Sequence, residues 1–290
     1  MIAVTGVTGL TGRFLIPSFR EIGYYGGFKC LVRPTSDTTG LPSGLDIEFM
    51  VGDCRDEASL VKLLERADAM VHVAGVRMAE KVIAACRRTG VDRVVFVNTT
   101  GVFSRYRKYA AEYRRIEEQI VASGLDWTII RPTMIYGNAR DHNIHQLVRF
   151  VNRWPVVPLV GDGRALLQPI YAQDLAMVIA RATLAEKAIR RAYNVAGKNP
   201  LKYVDLLKCI AATLGKKRFF VNVPYSLALL AGYVAEMTGS RLVNVERIQR
   251  LREDKIFDHF LATEDLGFKP RSFEDGIKLE IAAMRECGLI

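Results

Sequence analysis

Apolar and polar positions follow two different rhythms along the first 131 residues. Short, nearly continuous apolar runs at residues 2–4, 29–32, 46–51, 69–73, 93–97 and 127–130 read as strands buried on both faces. Between them lie stretches with helical spacing: one opening at Arg13, one over 57–65, one over 76–88 closed by Gly90, and one over 106–122 stopped by Gly124. Strand and helix in alternation predict a parallel sheet with right-handed crossovers. After Arg131 and Pro132 the regularity fades. A helix is expected over 174–186, a strand at 193–195 that could rejoin the main sheet, and mainly helix from Lys198, with a short strand near 219–221. The domain reading is a core over 1–131 and a lobe over 132–290 interleaved with it, residues 165–197 returning to the sheet. The apolar run 227–235 is shorter than the about 20 residues a bilayer span needs. It reads as a buried helix face, with contact to a membrane surface as the lesser alternative.

The first strand runs into Thr5-Gly6-Val7-Thr8-Gly9-Leu10-Thr11-Gly12, and a helix follows. Strand, glycine turn and helix in that order suit a dinucleotide diphosphate. Gly6 allows the sharp turn, Gly9 allows close approach of the diphosphate, and Gly12 allows the helix to pack against the strand. The helix N-terminus adds free N–H groups and a positive dipole end. The expected fold class is therefore α/β, a Rossmann doubly wound parallel sheet with a small, mainly helical C-terminal substrate lobe.

Composition narrows the partners. With 290 residues, half of them hydrophobic, the chain can bury a sizeable core. No signal peptide is recognisable, and five scattered cysteines without metal spacing suit a reducing, cytoplasmic setting. The net charge of +10 is spread over many helices without an aromatic-interleaved basic tract, which argues against nucleic acid. An anionic cofactor and an anionic substrate explain the excess more simply. His142 and His145 lack a carboxylate or cysteine partner, so no metal is expected.

Further motifs carry a family resemblance: Gly52-Asp53, Val73-Ala74-Gly75, Ser123 to Pro132, Ile135-Tyr136-Gly137, Val160 to Gly163, Ile170 to Ala176 and Leu266 to Pro270. In combination and order with the glycine stretch, they resemble the short-chain dehydrogenase/reductase superfamily, as an extended or atypical member of its NAD-dependent epimerase/dehydratase branch. The resemblance implies an NAD(P)-binding oxidoreductase or epimerase acting on a carbonyl or carbinol substrate, phosphorylated or nucleotide-linked, and is compatible with a homodimer. It assigns the cofactor to Gly6, Thr8, Gly9, Leu10, Thr11, Gly12, Arg33, Asp53, Cys54, Ala74, Gly75 and Pro132. Tyr136, Asn138, Arg164 and Gln168 fall at substrate positions. Arg33 stands where an acidic residue would hold the ribose 2′-OH of NAD. A guanidinium suits a 2′-phosphate instead, so NADP is expected over NAD.

The catalytic pattern departs from the family. Its enzymes use Tyr-x-x-x-Lys on one helix face, the lysine lowering the phenol pKa. Here Tyr109 has Tyr113, not lysine, four residues on, and neither Lys108 nor Arg114 has the spacing. Tyr109 is the expected proton-transfer residue, with Thr99 or Thr100 as the accompanying hydroxyl. The missing lysine also leaves a second reading, a non-catalytic dinucleotide-binding sensor or accessory subunit.

Overall fold

The computed structural model describes all residues except 45, 107, 139, 140, 142 and 238–244, and the side chains of 235 and 247. Six strands and four helices alternate first: β1 (Ile2–Thr5), α1 (Gly12–Glu21), β2 (Phe28–Val32), β3 (Ile47–Val51), α2 (Glu57–Leu64), β4 (Ala69–His72), α3 (Ala79–Thr89), β5 (Arg93–Val97), α4 (Ala110–Val121) and β6 (Asp126–Pro132). The later elements are β7 (Ile135–Tyr136), α5 (Ile144–Arg153), β8 (Val156–Val160), β9 (Leu166–Leu167), β10 (Ile170–Tyr171), α6 (Ala172–Leu184), β11 (Arg191–Val195), β12 (Leu201–Lys202), α7 (Tyr203–Thr213), β13 (Phe219–Val223), α8 (Tyr225–Met237), α9 (Val245–Gln249), α10 (Phe260–Leu266) and α11 (Phe273–Glu286).

Seven strands form a parallel sheet in the order β11-β6-β5-β4-β1-β2-β3. This is a Rossmann-like α/β sheet. Its central strands are mostly apolar because both faces are covered, whereas the edge strand β3 is largely exposed. Ile2 and Val4 of β1 join Leu15, Ile16 and Phe19 of α1 and Leu175 and Ile179 of α6 on one side. Ala3, with Val94 and Phe96 of β5, joins Leu60, Val82 and Ile120 of α2, α3 and α4 on the other. A third apolar cluster belongs to the lobe, where α5, α7 and α11 pack together through Val148, Leu207 and Ile277.

The predicted strand at 193–195 is β11, and it lies beside β6. Two expectations are corrected. The helix predicted from residue 106 begins at Ala110, because the preceding segment is drawn elsewhere: Ser104 Oγ and the Arg105 N–H donate to the Glu253 carboxylate at 2.7 and 2.8 Å. The run 227–235 does not bury its whole apolar surface. Ala228 is buried, but Leu227, Leu230, Tyr233 and Val234 of α8 are exposed. No helix among the described residues is long and apolar enough to cross a membrane.

Candidate active site

Strand order reverses about β1, which has β2 on one side and β4 on the other. In open α/β sheets ligands bind beyond the strand ends at such a point. Here the ends of β1 and β4 open on a cleft of about 620 Å³, lined by Gly6, Thr8, Gly9, Leu10, Thr11, Arg33, Asp53, Cys54, Ala74 and Gly75. Gly6 has φ +80°, and a side chain there would meet the backbone of Ala74 at 2.8 Å. Gly9 is different. A Cβ there would touch only the Gly6 carbonyl, at 3.2 Å, and otherwise faces the cleft. The cradle therefore fits a ligand that needs close backbone approach, as a diphosphate does. Pro132 is not in the lining; its carbonyl accepts the Thr100 hydroxyl at 3.1 Å.

The basic side of the cleft is organised by two arginines. Arg33 is exposed at the cleft, its backbone N–H donating to Ser36 Oγ at 3.1 Å. Arg55, which the sequence reading passed over, clamps Asp53 through Nε and Nη2 at 3.1 and 2.6 Å. That guanidinium holds the Asp53 carboxyl below the ordinary range, at about 2. Asp53 is not a helix cap; Asp56 caps α2, accepting from the Ala58 and Ser59 N–H groups.

His72 was also missed, and its polar side chain inside an apolar strand was the available signal. It is fully buried. Its Nε2 lies 2.9 Å from the Gly75 carbonyl and its Nδ1 lies 2.7 Å from Thr5 Oγ1. A carbonyl only accepts, so Nε2 carries the proton and Nδ1 accepts from the threonine. Burial lowers the ring pKa to about 4, against the Gly75 carbonyl, so the ring is neutral at physiological pH. His72 ties the end of β4 to the Gly75 turn that forms one wall of the cleft.

A second cleft, about 1180 Å³, adjoins the first and shares Thr8, Gly9 and Leu10 with it. Thr99, Thr100, Phe103, Ser104, Tyr106, Asp141 and the 252–257 segment also line it, with Arg105, Arg250, Arg252 and Lys255 among its cations. The Thr99 hydroxyl accepts from the Gly101 N–H at 3.1 Å. Glu117 accepts from Asn98 and, in a fork at 2.8 and 2.7 Å, from Arg131, fixing the ends of β5 and β6 relative to α4.

The structure does not bring Tyr109 into either cleft. It precedes α4, and its ring lies 4.6 Å from the Arg77 guanidinium, which is also bound by Glu112 in a bidentate pair at 2.7 and 2.9 Å. The substrate positions scatter as well. Tyr136 is core: its ring packs on Tyr171 and Phe273, beneath Gly276, where a Cβ would strike its phenol. Gln168 is buried, donating to the Gly197 carbonyl at 2.8 Å and accepting from the Phe257 N–H at 3.0 Å, so it positions a cleft residue without lining the cleft. Arg164 is exposed and paired with Asp162 at 3.4 Å. Asn138 lies beside the cleft, its carbonyl accepting from Asp141 at 3.1 Å. His145 is half-buried in α5; His142 lies outside the described residues. Among the described residues no group of three His, Cys, Asp or Glu is placed to hold a metal.

Sheet order and glycine cradle together define a Rossmann-like α/β protein with a dinucleotide-type cleft at the turn between β1 and α1. Residues 6–149 match a family model described as NAD(P)H-binding. The fold is that of a nucleoside-diphosphate-sugar epimerase from Pseudomonas aeruginosa, with TM-score 0.80 and 21% identity over 100% of this chain and 98% of that one. It is also that of a UDP-glucuronic acid 4-epimerase from Bacillus cereus in complex with UDP-glucuronic acid and NAD, with TM-score 0.78 and 17% identity over 99% of each chain. At these identities the likeness is one of fold.

Sequence relatives point in two directions. An uncharacterized protein of Mycobacterium tuberculosis is 25% identical over 93% of this chain, which spans 28% of that protein. A 3beta-hydroxysteroid-dehydrogenase/decarboxylase of Arabidopsis thaliana is 23% identical over 83% of this chain and 52% of its own length. The mitochondrial NADH dehydrogenase [ubiquinone] 1 alpha subcomplex subunit 9 of Arabidopsis thaliana is 21% identical over 93% of this chain and 74% of its own.

Proposed function

We propose that this protein is an NADP-preferring oxidoreductase or epimerase acting on a carbonyl or carbinol carbon of an anionic small molecule, phosphorylated or nucleotide-linked. The observation that carries the reading is the meeting of the two clefts at Thr8, Gly9 and Leu10. A dinucleotide held by the glycine cradle would reach from Arg33 toward the larger cleft. When bound, its nicotinamide supplies two-electron chemistry at carbon. The chain's own part is to orient the substrate among Arg105, Arg250, Arg252 and Lys255 and to move a proton. Thr99 and Thr100 remain the hydroxyl candidates. Tyr106, in the cleft lining, replaces Tyr109 as the phenol.

Two measurements test this. Arg33→Ala should erase a preference for NADP of tenfold or more, since a charge-assisted bond contributes about 1.5–3 kcal/mol. Equal affinities of the unmodified protein for NAD and NADP would refute the assignment. With a substrate found by screening carbonyl compounds and nucleotide-linked sugars, Tyr106→Phe should lower turnover roughly a hundredfold. Tyr109→Phe should leave most of it. The reverse ranking would return the role to Tyr109.

A second reading is a non-catalytic dinucleotide-binding subunit or sensor. Tyr113 in place of the family lysine and the Tyr109 ring on Arg77 favour it. Tight dinucleotide binding without turnover across the whole panel would select this reading.

A further inference from the structure

The lobe carries an apolar surface that neither cleft uses. β8 and β13 form a two-stranded parallel ribbon, with Phe219 beside Val156 and Val221 beside Pro158. Its inner residues, Val157 and Leu159, are buried in the lobe core. Its outer residues, Val156, Pro158, Phe219 and Val221, are all exposed, Phe219 to 72%. Pro224 alone separates the ribbon from α8. That helix repeats the pattern: Ala228 and Gly232 are buried, while Leu227, Leu230, Val234 and Met237 project outward at helical spacing, Met237 to 88%. No charged residue occurs in α8 before Glu236, whose carboxylate accepts from the Val245 N–H at 3.0 Å.

The rim of the ribbon differs in kind. Arg153, Lys216 and Lys217 are exposed beside it, and Trp154 is half-exposed with the Arg153 guanidinium 5.5 Å from its ring. Lys216 and Arg218 also donate to the Asn152 carbonyl, which holds their segment against the end of α5, next to Trp154. Cations and an indole at the end where both strands of an uncharged apolar ribbon begin complement the charge and depth profile of an anionic bilayer surface. The net charge of +10 acts in the same sense.

We infer that the β8–β13 ribbon and α8 form a peripheral docking surface for anionic phospholipid membrane. The apolar residues enter the headgroup boundary, and Arg153, Lys216 and Lys217 meet the lipid phosphates. This contact is separate from the dinucleotide cleft and stands whether or not the protein turns over a substrate.

Vesicle sedimentation with the whole chain tests it. Binding is expected to vesicles enriched in phosphatidylglycerol and not to phosphatidylcholine alone, with a blue shift of Trp154 emission while the buried Trp127 stays constant. Replacing Lys216 and Lys217 by glutamine should weaken binding between five- and thirtyfold, at about 1 kcal/mol per cation. Phe219→Glu with Leu230→Glu, both at exposed positions, should abolish it with the circular dichroism spectrum unchanged. Three results would overturn the inference: no binding to either vesicle, binding that these substitutions leave intact, or a dimer in light scattering that the same substitutions dissociate, since a second copy would then cover the face.

Discussion

Replacing Gly12 by alanine is expected to abolish dinucleotide binding and to lower stability by about 3 kcal/mol or more. Gly12 begins α1, and a Cβ there would collide with the Gly6 carbonyl oxygen and lie 2.7 Å from Val7 Cα. Both obstacles are backbone, so no rotamer change relieves them. The same Gly6 carbonyl accepts the Gly9 N–H at 3.0 Å, so displacing it opens the turn itself. Gly9→Ala should behave differently, since its methyl meets only that one carbonyl, at 3.2 Å, and projects toward the cleft. Thermal melts of the two variants separate the effects. Gly12→Ala should melt about 6 °C or more below the parent. Gly9→Ala should melt with the parent yet bind dinucleotide at least tenfold more weakly. A Gly12→Ala protein that melts with the parent would contradict the packing described for this turn.

Glu280→Gln is expected to stabilise the protein at neutral pH and flatten its response to base. Glu280 is fully buried in α11. Burial first, and then the Asp141 carboxylate, push its pKa up to about 9, while the Gly137 amide pulls the other way. A folded pKa above the unfolded value means that stability is fully present below about pH 4.5. It falls as pH rises toward 9. By pH 7 the loss is on the order of 3 kcal/mol, at about 1.4 kcal/mol per pH unit. Glutamine keeps the shape without the titration. Urea unfolding at pH 6, 7, 8 and 9 should show the parent weakening and the variant level. Parallel declines for both proteins would contradict this assignment. Asp141 itself lines the larger cleft.

The sheet was legible for a physical reason. The central strands are buried and mostly apolar, and the glycines beyond their ends stand out against them. Gly6, Gly9, Arg33, Asp53 and Gly75, which line the smaller cleft, could be placed because each lies within four residues of a strand end. The lobe gave no such local signal. Tyr136 turns into the core because Gly276, far along the chain, leaves room for its phenol. Gln168 is committed to Gly197 and Phe257. Tyr109 misses the cleft because Glu253 takes Ser104 and Arg105, and because Arg77 offers its ring a cation. Each of these positions is decided by a partner that spacing along the sequence does not reveal.

Calorimetric titration of the intact protein with NADP tests the central claim most directly. One site should titrate, weakened at least tenfold by Gly9→Ala and by Arg33→Ala, with NAD bound nearly equally by the Arg33→Ala variant and its parent. Absence of binding heat with every nicotinamide dinucleotide, from a protein that melts cooperatively, would contradict the assignment of this cleft.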